Sequence, residues 1–230
     1  MDVNSNRARG RNSVHRAFLG SQIADVLRRD ILLGRIKPGT RLAQQQLCEQ
    51  FGTSRMPVRD GLRALSHEGL LTVDSGQHTV VAPLSKADLA DSFLVEGMLT
   101  GLAARRASER ASDAELDELD ELHRKMIAAA KSRDQSAMAG LNWSLHRQIN
   151  RLSGSRKLLA AIRAVSLDVP QDFLVQVPDW SIKSNREHYQ ILLAMREGRH
   201  DDVERLMLEH VVASGNGLIA YLESQGLKLE

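Results

Sequence analysis

The chain has 230 residues, with 31 Lys and Arg against 29 Asp and Glu, a formal net charge of +2 and only 3% aromatic residues. That length allows two small domains or one large one. No apolar run approaches the roughly 20 residues of a membrane span and no signal-peptide pattern opens the chain, so neither a membrane anchor nor export is expected. Cys48 is the only cysteine. It excludes an intramolecular disulfide, fits a reducing cytoplasm, and sits in the apolar register of a short helix, where simple burial is expected.

The charge is uneven. Residues 1–82 hold 12 Lys and Arg against 7 Asp and Glu, whereas residues 83–230 hold 19 against 22. A basic excess confined to the first part of the chain suits a phosphate-bearing partner there.

Residues 1–12 are polar, carry three arginines and read as a disordered tail. A helix is predicted from Val14 to Leu33, with Phe18, Ile23, Val26, Leu27 and Ile31 on its apolar face. Gly34 ends it, and Pro38-Gly39 marks a turn. Residues 42–83 then give a helix over Gln45–Phe51 and a break at Gly52. A second helix follows, from a Ser54 cap to about Glu68, with Leu62, Leu65 and Leu70 left to face a core. Two short apolar runs, Leu70–Val73 and Val80–Val81, flank a polar tip. Helix, turn, helix and hairpin make a winged helix-turn-helix. Arg55, Arg59 and Arg63 recur every four residues and share one face of the second helix. On this reading Arg55 and Arg59 meet bases or phosphates, with Pro57 between them. Arg41, Gln45 and Ser54 set the domain against the backbone, and Gly76 and Gln77 bring the wing to the minor groove.

The run Gly-Thr-Ser-Arg-Met-Pro-Val-Arg-Asp-Gly-Leu-Arg-Ala-Leu, followed by Glu-Gly-Leu-Leu, resembles the DNA-binding domain of the GntR family of bacterial transcription regulators. Met56 stands where that family usually has threonine, and Gly61 where it has alanine. Gly61 is expected to cost its helix about 1 kcal/mol.

After Pro83 every predicted element is a helix: Asp88–Glu109, then a helix from the Ser112/Glu115 capping box to Lys131, then one from Asp134 to Leu152, then Ser155–Val169, Lys183–Glu197 and Asp201–Glu223. Pro170–Asp179, with Phe173-Leu174-Val175, reads as a kinked connection. The fold class is therefore mainly α: an N-terminal winged helix-turn-helix over residues 13–83 and a C-terminal all-helical bundle over residues 84–230. The bundle resembles the FCD type of ligand-binding domain.

Asn142 and His146 lie one turn apart on one helix face. His188 precedes Gly198 by ten residues and His210 follows it by twelve. At about 1.5 Å per residue, an antiparallel hairpin would bring those two histidines nearly level. Three imidazoles and one oxygen suit a divalent metal, zinc or nickel, with positions left open. The FCD resemblance implies the same set of ligands: Asn142, His146, His188 and His210. Asn142 replaces an aspartate common in relatives, which lowers the expected affinity and lets the site empty during purification. His123 and His200 read as solvated.

The resemblance also implies an effector pocket. Where relatives carry an arginine and a glutamate on the first bundle helix, this chain has Glu96 and Thr100. Glu96 would oppose a carboxylate, so a neutral or cationic effector is expected unless Arg147 or Arg163 supplies the positive charge. The resulting reading is a cytoplasmic transcription regulator, a repressor, that binds palindromic operator DNA as a homodimer under control of a small molecule. The alternatives are a metal-dependent hydrolase-like enzyme and a nucleoid-type protein binding DNA without sequence preference. Glu187 and Glu209 each adjoin a histidine in sequence and are expected to point away from the cluster, leaving no general base.

Overall fold

A computed structural model describes residues 19–166, 179–227 and 229. It divides into two units, Met1–Ser85 with Leu227–Glu230, and Lys86–Gly226. The expected tail at 1–12 and the connection at Phe173 lie outside the described residues.

In the first unit, α1 (residues 19–32) packs on α2 (Gln44–Gln50) and α3 (Arg55–His67), and the hairpin β1 (Leu71–Val73) with β2 (Thr79–Val81) follows. Ile23, Ala24, Leu27, Ile31 and Leu32 of α1 meet Leu47, Val58, Leu62, Leu65 and Leu70 in one core. Val26, expected on that face, is 42% exposed, because the buried stripe turns through Ala24 and Leu27 instead. Cys48 is half-buried at the core's edge.

Gly61 has a reason to be glycine. A Cβ there would come within 2.9 Å of the Gly20 carbonyl oxygen and 3.2 Å of Ile23 Cγ2, so its absence lets α1 and α3 approach closely. The propensity cost expected from sequence is offset by this packing. Arg28, buried on α1, donates through Nε and Nη2 to both carboxylate oxygens of Glu68, each at 2.7 Å. This bidentate pair fastens α1 to the end of α3.

The hairpin is antiparallel, with Leu71 opposite Val81, Thr72 opposite Val80 and Val73 opposite Thr79. Arg41 adds a bridge to Val80, and the Leu42 amide donates to the Thr79 carbonyl at 2.9 Å. At the tip, Asp74 Oδ1 accepts from the amides of Gly76 and His78, and Gln77 adopts φ 62°. Leu227 and Leu229, near the chain's end, pack on this unit's core rather than in the second unit, with Leu227 against the bare face of Gly34.

The second unit is helical: α4 (Lys86–Ser108), α5 (Asp113–Lys131), α6 (Gln135–Leu152), α7 (Arg156–Val165), α8 (Trp180–Arg196) and α9 (His200–Ser224). Ser112 and Glu115 form the predicted capping box, and Asp134 and Ser155 cap α6 and α7. α8 starts three residues before its expected Lys183, which brings Trp180 into the helix. α4 runs along α9. Gly101 makes the approach possible, since a Cβ there would stand 2.7 Å from the Glu204 carbonyl oxygen. No described helix is long and apolar enough to cross a membrane.

Candidate functional site

His146 on α6, His188 on α8 and His210 on α9 converge inside the second unit. His146 Nε2 lies 3.1 Å from His188 Nε2 and 3.2 Å from His210 Nε2. His188 and His210 are 1% and 3% exposed. The α8–α9 turn at Gly198 thus levels the two histidines as their spacing implied. Burial, with the neighbouring His210, pushes His146 down to about 3, and burial with the adjacent imidazoles holds His188 well below the usual histidine range. Both rings are therefore neutral at physiological pH, the form that coordinates metal.

Glu187 corrects the sequence reading. Its Oε2 lies 2.6 Å from His210 Nδ1. A carboxylate can only accept, so Nδ1 carries the proton and Nε2 turns a lone pair to the centre. The long Glu187 side chain reaches across to the next helix, although its Cα neighbours His188. Because it serves the outer nitrogen, it offers no base at the centre.

Asn142, one turn before His146, has a buried Oδ1 with no hydrogen-bond partner among the described residues. A buried acceptor left unpaired one helix turn from His146 is the kind of group that a cation satisfies. The residues present fit a divalent metal, and these three histidines can hold one. His123 and His200, expected in solvent, are engaged. His123 is buried and donates through Nε2 to the Asn185 carbonyl at 2.9 Å, and His200 Nδ1 lies 2.8 Å from Ser108 Oγ. Their helix faces point inward, which isolated histidines in a polar sequence do not reveal.

A cavity of about 880 Å³ opens beside the histidines and is lined by Asn142, His146 and His210. Glu96, Thr100, Arg147 and Arg163, all singled out in the sequence, line it too. Glu96 Oε1 accepts from the Ser166 hydroxyl at 2.7 Å, and Thr100 Oγ1 donates back to the Glu96 carbonyl at 2.8 Å. Phe93, Trp143, Arg151 and Trp180 also line the cavity and were missed. The rarity of aromatics was the available signal: both tryptophans of the chain are in this wall.

In the first unit Arg41, Gln45, Ser54, Arg55, Arg59, Gly76 and Gln77 are all exposed. Arg63 is exposed as well, while Val58, Leu62 and Leu65 of the same helix are buried. Pro57 is buried, so its side chain packs under α3 rather than facing a partner. Ser54 occupies the N-cap but makes no capping hydrogen bond.

A winged helix-turn-helix joined to a helical domain with a histidine-lined cavity defines a class: ligand-responsive DNA-binding transcription regulators. Comparison places the chain within it. Residues 19–81 match the family model described as bacterial regulatory proteins, gntR family, and residues 91–213 match the FCD domain. The chain belongs to the GntR family of transcription regulators, with an FCD domain as its second part. It is 27% identical, over 93% of its length and 92% of the relative's, to a protein of Paenarthrobacter nicotinovorans described as a "Probable D-xylose utilization operon transcriptional repressor". It is 25% identical to the HTH-type transcriptional repressor RspR of Escherichia coli (strain K12), over 84% of this chain and 86% of that one. Among solved structures, E. coli McbR/YncC shares the fold with a TM-score of 0.64 at 24% identity, covering 90% of this chain and 98% of that one. The protein is a DNA-binding transcription regulator and not an enzyme.

Proposed function

We propose that the protein is a repressor that binds a palindromic operator as a homodimer and releases it when a small molecule fills the cavity beside a divalent metal. The observation that carries this reading is the convergence of His146, His188 and His210, two of which, His146 and His210, line the cavity together with Asn142, whose buried Oδ1 has no hydrogen-bond partner among the described residues. Asn142, His146, His188 and His210 would hold the metal, zinc or nickel by the chemistry of the donor set. The metal supplies a Lewis-acidic point for an effector oxygen. Neutral asparagine in place of a carboxylate leaves the site one negative charge short.

Residues 13–83 act as the DNA-binding domain. Exposed Arg55 and Arg59 enter the major groove from α3, Arg41, Gln45 and Ser54 meet the backbone, and Gly76 and Gln77 carry the wing to the minor groove. A single recognition helix reads too few bases for useful specificity, so two copies related by a two-fold axis are required. The repressor names of the two relatives support the sign of control. The test is a mobility-shift assay on the promoter region beside the protein's own gene, against random DNA of equal length. Retarded migration on the promoter alone supports the reading, and equal binding to both supports the non-specific alternative.

A further inference from the structure

Met56 is 49% exposed in the first turn of α3. The other exposed residues of that helix are Arg55, Arg59, Asp60, Arg63, Ser66 and His67, all polar or charged. A single exposed apolar side chain needs no explanation by itself. The place of this one does. Pro57, Val58, Gly61, Leu62 and Leu65 form the buried stripe of α3. At about 100° per residue, Met56 falls opposite the middle of that stripe, with Arg59 to one side of it and Arg63 about two turns further along the same face. Pro57 and Val58, buried directly after Met56, fix the backbone from which it projects.

Its surroundings suit a polyanion. Arg55, Arg59 and Arg63 are exposed on the same helix. Ser54 makes no capping hydrogen bond and the first turn holds no acidic residue, so nothing within that turn neutralises the positive end of the helix dipole. A phosphate drawn to this end brings the N-terminal turn of α3 against the base edges. There a methionine has narrow abilities. It has no hydrogen-bond donor, and its thioether is a weak acceptor. Against the polar edge of guanine, adenine or cytosine it strips water and gives no bond in return. Thymine alone presents an apolar group in the major groove, its 5-methyl, and the unbranched side chain adapts to reach it.

This inference rests on the reading of α3 as the helix that enters the major groove. We propose that Met56 selects thymine at one position of each operator half-site by packing on its 5-methyl group. The arginines supply attraction and contacts of their own, and Met56 adds a preference that charge does not carry.

The test starts from an operator selected out of a random duplex library by the unaltered full-length protein. Each thymine is then replaced in turn by deoxyuridine, which removes the 5-methyl and keeps every hydrogen-bonding atom of the base. Loss of the chosen methyl should weaken binding about fourfold in one half-site and about fifteenfold in both, as burial of one methyl group implies. Met56→Ala should bind the thymine and uracil duplexes equally at that position, and so should Met56→Gln, which keeps the length of the side chain. Arg55→Ala should weaken both duplexes and keep their ratio. Selection repeated with Met56→Ala should lose the thymine preference there and keep the rest of the operator. An operator in which no thymine methyl matters, or a methyl effect that survives in Met56→Ala and Met56→Gln, overturns the inference and leaves α3 as a recognition helix. A library that yields no common sequence overturns both.

Discussion

Glu187 of α8 and His210 of α9 are joined by a 2.6 Å hydrogen bond between Oε2 and Nδ1. Through it a carboxylate that is half-exposed sets the tautomer of an imidazole that is 3% exposed. The proton is fixed on the outer nitrogen, and the inner one is free to coordinate. Carboxylate partners of this kind tune ligands they do not replace. Glu187→Gln can still accept through its amide oxygen but loses the charge, and Glu187→Ala removes the contact. Zinc affinity, measured by competition with a chromogenic chelator, should fall about tenfold in the first variant and up to about a hundredfold in the second.

Asn142→Asp supplies the missing charge on the same helix turn as His146. It should raise zinc affinity, because an anionic oxygen is a stronger ligand than an amide oxygen for a dication. Metal content after purification, compared between the variant and the unaltered chain, reads this directly. An equal or lower content would remove Asn142 from the ligand set.

Arg55 and Arg59 are exposed on α3, while Val58, Leu62 and Leu65 of the same helix are buried. Replacing either with alanine should cost operator binding about 1–3 kcal/mol if it reads a base. If it meets only phosphate, the loss is uniform across sequences and the salt dependence becomes shallower by about one ion. Titrations at several salt concentrations separate the two. Pro57, buried beneath the same helix, should change stability rather than specificity when replaced.

Gly61→Ala pits two effects against each other. Alanine gains about 1 kcal/mol of helix propensity. Its Cβ, however, would stand 2.9 Å from the Gly20 carbonyl oxygen, a backbone atom that cannot swing aside. Overpacking of this kind costs about 1–3 kcal/mol, so a net loss is expected. Chemical denaturation followed by hydrogen exchange at α1 amides would show it.

Leu227 lies against Gly34 and the first unit's core. Leu227→Ala should lower the protection of amides in α1 by about 1–2 kcal/mol. Hydrogen exchange resolves this by segment, which a single melting curve of a two-unit chain does not. Unchanged protection would mean that the terminal residues contribute nothing to that core.

The local signals were strong where chemistry is local. The Ser112/Glu115 box, the Asp134 cap and the Gly198 break each act within a few residues of themselves, and the helices begin and end beside them. The histidine set was legible for a similar reason: a helical hairpin turns sequence spacing into height along an axis. Neither the reach of Glu187 nor the entry of Trp180 into the cavity wall could be read that way. Each depends on how far a neighbouring helix stands.

By itself the sequence determined a winged helix-turn-helix followed by helices, the basic face of α3, and a level pair of histidines. These follow from periodicity, capping and charge, which a chain carries wherever it goes. Only the tertiary structure decided that Gly61 is a contact rather than a defect and that His123 is buried. It also joined Glu187 to His210 and left Asn142 Oδ1 and Trp180 Nε1, at one cavity, without partners among the described residues. Those facts come from close packing between helices distant in sequence, where displacements of an ångström decide which polar atoms meet and which are left facing a space.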